Sequence, residues 1–150
     1  MSREPLTLEP LDYPKPHNVV GLDITVLVSR ETTGGHEITL QTGDKGSGPP
    51  PHSHPWDESF YVVRGAVDFT VEGKTTKAGP GTFFHLPAGT VHAFCIQENG
   101  TRMMEITGAG SQSSSMFRSI AQEVPPGQPK PEDVPKLIEI LGRFGAKVHS

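Results

Sequence analysis

Glycine and proline interrupt this chain so often that most of it can be built only from short elements joined by turns. There are 17 glycines and 15 prolines in 150 residues, and both are costly inside helices and useful at bends. Between the breaks, apolar residues alternate. In "GLDITVLVS", from Gly21 to Ser29, Leu22, Ile24, Val26 and Val28 fall on one face; after the turn "ETTGG", the segment "HEITLQT" alternates again through Ile38 and Leu40. A period of two marks a strand with one buried face, so these segments are expected to form a hairpin. "SFYVVRG", "AVDFTVEG", "GTFFHLPAGTVHAFCIQENG" and "TRMMEITG" repeat the pattern. About seven or eight such strands predict an antiparallel sandwich or barrel, with Phe60, Val62, Phe69, Phe83, Phe94, Met103 and Met104 in its core.

The pattern changes at Gly108. "GAGSQSSS" reads as a flexible run, with Ser113 to Ser115 a linker, and it leads into "SMFRSIAQEV", a short helix expected to be capped by serine. A second helix is predicted in "PEDVPKLIEILGRFG", where Val134, Leu137, Ile138, Leu141 and Phe144 recur at helical spacing. Proline at its start and glycine after its end fit the usual asymmetry of helix termini. This helix is expected to lie against the barrel or a partner subunit.

Bulk properties exclude several functions. With 33% hydrophobic residues the chain can bury one sizeable core. A net charge of -4 supplies no basic field for nucleic acid. One cysteine, Cys95, allows no intramolecular disulfide, which makes a reducing cytoplasm the expected location. No apolar run reaches the ~20 residues of a membrane span, and "MSREPLTLEPLDYP" has charges and prolines where a signal peptide needs an apolar stretch. A small-molecule partner is expected.

The chemistry is concentrated in "GSGPPPHSHPWDESFYVVRG". Side chains alternate along a strand, so His52 and His54 point the same way and their ring nitrogens can converge on one ion. Pro49 to Pro51 stiffen the backbone before the pair, and Pro55 forces a turn after it. Glu58 follows at the start of the next strand. Farther on, His92 stands just after the turn Pro87-Ala88-Gly89. Three imidazoles and a carboxylate suit a borderline divalent metal and leave open positions if the geometry is octahedral.

The spacing of these residues resembles the two sequence motifs of the cupin superfamily. The first motif runs Gly46, five residues, His52, one residue, His54, three residues, Glu58, six residues, Gly65; the second runs Gly81, five residues, Pro87, one residue, Gly89, two residues, His92. The second motif usually closes with asparagine four residues after its histidine; here Ile96 stands there and cannot donate the hydrogen bond. The resemblance implies an all-β, jelly-roll-like cupin barrel with short C-terminal helices, similar to small quercetin-dioxygenase-like members. It divides the chain into an N-terminal arm (residues 1–19), the barrel (20–108) and a linker with helices (109–150).

By the same resemblance, His52, His54, Glu58 and His92 would hold one divalent transition metal (Fe, Mn, Ni, Zn or Cu), with Glu58 also moving a proton. The implied activity is oxygenation of a small aromatic or enol-like compound by a homodimer. Alternatives are a metal-dependent isomerase or decarboxylase, or a cupin that binds a small molecule without turnover. Around this set, His85 reads as an edge-strand surface residue and Trp56 as either a lid or a packing residue. Glu105 is expected to face solvent. Cys95, out of phase with His92 and Phe94, is not expected to be a ligand.

Overall fold

The computed structural model describes residues 3–150. Its strands are β1 (His17–Val19), β2 (Leu22–Val28), β3 (Glu37–Gly43), β4 (His52–Ser53), β5 (Glu58–Arg64), β6 (Val67–Val71), β7 (Lys74–Ala78), β8 (Phe83–Leu86), β9 (His92–Ile96), β10 (Thr101–Thr107) and β11 (Lys147–Val148). The helices are α1 (Arg30–Thr33), α2 (Ser113–Glu123) and α3 (Val134–Arg143). The strands form two antiparallel sheets: a six-stranded one in the order β1-β2-β3-β10-β5-β8 and a five-stranded one in the order β11-β4-β9-β6-β7. This is the all-β jelly roll expected from the alternation, and β2 and β3 form the expected hairpin.

The inward faces of the sheets meet in an aromatic core. Phe69 is fully buried, with Phe84 stacked on it at 4.2 Å between ring centroids and Phe60 tilted against it at 5.2 Å. Val62, Val67, Ile96 and Met103 close around them, each at most 1% exposed. Burying one such side chain contributes about 1.5–3 kcal/mol, so the barrel draws its stability from this apolar interior. Gly65, which closes the first motif, has a backbone reason to be glycine. Its φ is 89°, and a Cβ there would lie 2.1 Å from Thr101 Oγ1.

Three expectations from the sequence are corrected, and one strand is added. Phe83 is 60% exposed and Phe84 takes the inward position instead, because Phe84 is registered against Phe60 on the inner face of β5. Met104 is half-buried on the outer face of β10, opposite Leu40 and Tyr61. The stretch Lys74–Ala78, which carries no apolar alternation, is nonetheless a strand; at the sheet edge it needs none, and only Ala78 is buried.

The serine run is neither a flexible linker nor a cap. Ser113 and Ser114 form the first turn of α2, Gln112 occupies the cap position without a side-chain bond, and Ser111, Ser113 and Ser114 are at most 2% exposed. The cause is Glu37. Its buried carboxylate accepts hydrogen bonds from Ser111 Oγ at 3.1 Å, Ser113 Oγ at 3.0 Å, Ser114 N–H at 3.0 Å and Arg30 N–H at 3.0 Å, and a further bond from Ser114 Oγ.

Pinned in this way, α2 buries Met116, Phe117 and Ile120 and packs against β1. The other helix, α3, buries Ile140 completely and is tied to α2 by Arg143, which donates to Glu123 at 2.7 and 2.9 Å. The two helices lie over one mouth of the barrel, where Met116, Phe117, Leu137 and Leu141 face the same cavity as His52 and His54.

Candidate metal centre

Both sheets contribute to that mouth. His52 lies on β4 directly opposite His92 on β9, so one cross-strand pair supplies two imidazoles whose ring centroids are 4.2 Å apart. His54 follows two residues on, after the strand ends. One ring nitrogen from each of His52, His54 and His92 can be chosen so that all three lie within 4.8 Å of one another. Glu58 arrives from the other sheet, at the start of β5, and its Oε1 is 3.0 Å from His54 Nε2 and 2.8 Å from His92 Nε2. All four residues are thus brought together, three of them at most 5% exposed.

The backbone sets how each ring is protonated. The Nδ1 atoms of His52, His54 and His92 lie 2.8, 3.0 and 2.9 Å from the carbonyl oxygens of Pro50, Trp56 and Thr90. A carbonyl can only accept, so each Nδ1 carries the hydrogen and a neutral ring presents its Nε2 lone pair. This is the tautomer lock that metal-binding histidines use. A lone pair facing a carboxylate is repulsive unless a proton or a cation lies between them. His92 Nε2 shows the problem most plainly: it is buried near Glu58 but not in hydrogen-bond geometry, and it has no hydrogen-bond partner.

The charges follow from the same packing. Burial, helped by repulsion from His92, depresses the His52 pKa to about 4, so this ring stays neutral and available. Burial also opposes a charge on His92, but the adjacent Glu58 outweighs it and raises that pKa. Glu58 is held well below the usual carboxylate range: burial alone would raise it, yet a bond from the Glu105 carboxyl and the imidazoles of His54 and His92 beside it prevail.

Glu105 overturns the expectation that it faces solvent. It is 2% exposed, accepts a bond from Thr39 Oγ1 at 2.9 Å, and is hydrogen-bonded to Glu58. Burial first, then the negative charge of Glu58, pushes its pKa well above the usual value, so Glu105 is the protonated partner that donates. Its inward direction had a signal in the sequence, because it is in phase with Met103, and the centre of a six-stranded sheet buries that phase.

The remaining residues sort cleanly. Trp56 is 2% exposed and stacks on His54, with 4.7 Å between centroids and 12° between planes. His85 is exposed on the edge strand β8, bonded to Ser59, and Cys95 is exposed. Ile96, where an asparagine was expected, is 1% exposed and belongs to the core.

Residues 36–107, which carry every residue of this cluster, match the family described as Cupin domain. This segment is a cupin domain. Among curated proteins the cupin resembles quercetin 2,3-dioxygenase of Bacillus subtilis (strain 168), 29% identical over 86 residues that make up 57% of this chain and 26% of that protein. The chain thus matches about a quarter of the length of that relative. Among solved structures, KdgF from Halomonas sp. superposes with a TM-score of 0.67 at 20% identity, covering 74% of this chain and 99% of the other. An RmlC-like cupin from Shewanella frigidimarina gives 0.65 at 17% identity, covering 76% and 99%. At such identities the two structures speak for the fold alone. Cupins commonly bind a metal ion, and the histidine triad of this one has the donor chemistry for it.

Proposed function

We propose that this cupin holds one divalent transition metal through His52, His54, Glu58 and His92 and is an oxygenase of small aromatic or enol-like compounds. The observation that carries the metal is the convergence of three imidazoles, each with its Nδ1 held by a backbone carbonyl, beside the Glu58 carboxylate, an arrangement that a cation relieves. Such an ion, when bound, supplies Lewis acidity and open positions for substrate oxygen or dioxygen.

The chain's own residues supply the rest. Glu58 is ionised and accepts a phenolic or enolic proton, with the Glu105 carboxyl beside it. The aromatic and aliphatic walls exclude water. The name of the quercetin 2,3-dioxygenase relative supports the choice of oxygenation, over 57% of the chain. Metal-dependent isomerisation or decarboxylation would use the same four residues, and a cupin that only binds would use them without turnover.

The test is anaerobic reconstitution with Fe, Mn, Ni, Zn or Cu, followed by oxygen-uptake measurement over small phenols, enols and diketones. Uptake that depends on substrate and is lost in Glu58→Gln supports the oxygenase. Ligand binding without uptake for any metal overturns it in favour of the binding module. A homodimer is part of the proposal, supported by the outer face of the six-stranded sheet, where Tyr61, Phe83 and Ile106 are exposed. A monomeric mass by light scattering would remove that part. A cytoplasmic setting is proposed on the single free cysteine.

A further inference from the structure

The cavity under the two helices is about 230 Å³, below the ~300 Å³ at which pockets for drug-sized ligands begin, and has room for a compound of one ring. Away from the histidines, most of the polar side chains on its wall are already engaged by the protein. Glu105 takes a bond from Thr39, Ser113 donates to Glu37, and Gln128 donates to Ser47. Gln41 differs. It lines the cavity and is only 4% exposed, yet its amide makes no hydrogen bond to any described residue. Nor is that amide sealed in: among the described residues, the buried side-chain polar atoms with neither a partner nor access are Trp56 Nε1 and His92 Nε2. The Gln41 amide therefore opens on the cavity.

Its position is set by the sheet. Gln41 lies on the inner face of β3, registered against Ile24 of β2 and Met103 of β10, each 1% exposed. Beside such neighbours a leucine would pack without penalty, whereas an amide buried without a partner costs stability. The row of the sheet that holds Glu58 crosses β3 at Glu37. Gln41 is farther along that strand by about 13 Å, at ~3.3 Å per residue. One functional group does not span such a distance, so the amide addresses a part of the ligand other than the oxygen at the histidine end. An amide both donates and accepts, and a hydroxyl, which does the same, matches it.

We infer that Gln41 is a specificity-determining residue of this cavity, and that its ligand is a one-ring phenol or enol carrying a second oxygen, of hydroxyl type, on the side remote from the histidines. The first oxygen rests on the proposed function; the second rests on Gln41 alone.

The experiment measures binding to the full-length chain, metal-free and zinc-loaded, by calorimetry. The probes are 4-(hydroxymethyl)phenol and 4-ethylphenol, which are alike in size and differ by one hydroxyl in place of one methyl. The unaltered protein is expected to bind the alcohol about fivefold more tightly, the worth of one hydrogen bond. In Gln41→Leu the preference should reverse toward 4-ethylphenol, and the urea midpoint should be equal to or above that of the unaltered chain, because leucine leaves no unpaired amide between Ile24 and Met103. A glutamine that only supports the fold would give the opposite: a lower midpoint with both probes weakened alike, which would overturn the inference.

Should the variant not fold, the side-chain NH2 resonances of Gln41 in the unaltered protein decide. The alcohol is expected to move them and 4-ethylphenol to leave them nearly in place. Equal affinity for the two probes, or binding of neither to either form of the protein, would also overturn the inference. Zinc separates this reading from the one before it: zinc binding without the preference for the alcohol sinks the role of Gln41 and leaves the metal, while that preference in a chain that binds no zinc sinks the metal and leaves Gln41.

Discussion

Glu37 and Glu58 sit on either side of Thr107 in one row across the six-stranded sheet, and they answer the cost of burying a carboxylate in opposite ways. Both are nearly inaccessible, at 0% and 4% exposure. Around Glu37 every partner is a fixed donor: serine hydroxyls and backbone N–H groups that carry no charge and compete for nothing. Around Glu58 the partners titrate, since they are a second carboxyl and imidazoles whose own geometry favours lone pairs toward it. A buried anion satisfied by neutral donors pins structure. One that faces other ionisable groups leaves a demand for a cation, and that demand separates a site from a staple.

The largest expected effect breaks one side only. His52→Ala, His54→Ala and His92→Ala should each lose stoichiometric metal, with affinity falling at least about 100-fold, while circular dichroism and the urea midpoint of the metal-free chain change little. A variant that still binds one metal per chain by elemental analysis would remove that residue from the set. On the other side, Glu37→Ala should destabilise the metal-free chain by about 3 kcal/mol in urea unfolding, because it strands several buried donors at once. Metal stoichiometry should survive it. Equal damage to both properties would mean the two regions are one unit.

A smaller effect sharpens the contrast through pH. Burial would raise the Glu37 pKa, but the bonds from Ser114 and its neighbours outweigh this and hold it below the usual value. The unfolded chain therefore binds the proton first as pH falls, and Glu37 contributes stability above the ordinary carboxylate range that is lost on acidification through its folded pKa. Comparing urea midpoints of the unaltered chain and Glu37→Gln across that range should show a slope that the variant lacks in part. Parallel curves would refute the charged staple.

The smallest effect is expected at Glu105. Since its carboxyl is already protonated, Glu105→Gln should change the stability of the metal-free chain by no more than about 0.5 kcal/mol at neutral pH. A marked gain in melting temperature would instead show two repelling charges beside one another.

The sequence made the strand alternation, both C-terminal helices and the candidate residues His52, His54, Glu58 and His92 legible, because period and spacing are local properties of a chain. His52 and His54 share a face by the pleat alone, and the short turn to Glu58 limits where that carboxylate can go. What was not legible depended on neighbours. Phe83 and Phe84 are identical in chemistry, so only the pairing of β8 with β5 decides which one enters the core. Lys74–Ala78 carried no alternation to mark it as a strand, because an edge strand gains its hydrogen bonds without burying a face.

What the sequence determined by itself was the class of fold and the ligand-type residues; the tertiary structure decided which groups are buried together. Glu105 faces inward because β10 lies between β3 and β5, and the serines that open α2 are held in place because Glu37, more than seventy residues earlier, needs donors. The cavity exists only where α2 and α3 close over the mouth. Alternation reports which residues share a face, but whether that face is covered, and by what charge, is set by chain segments distant in sequence.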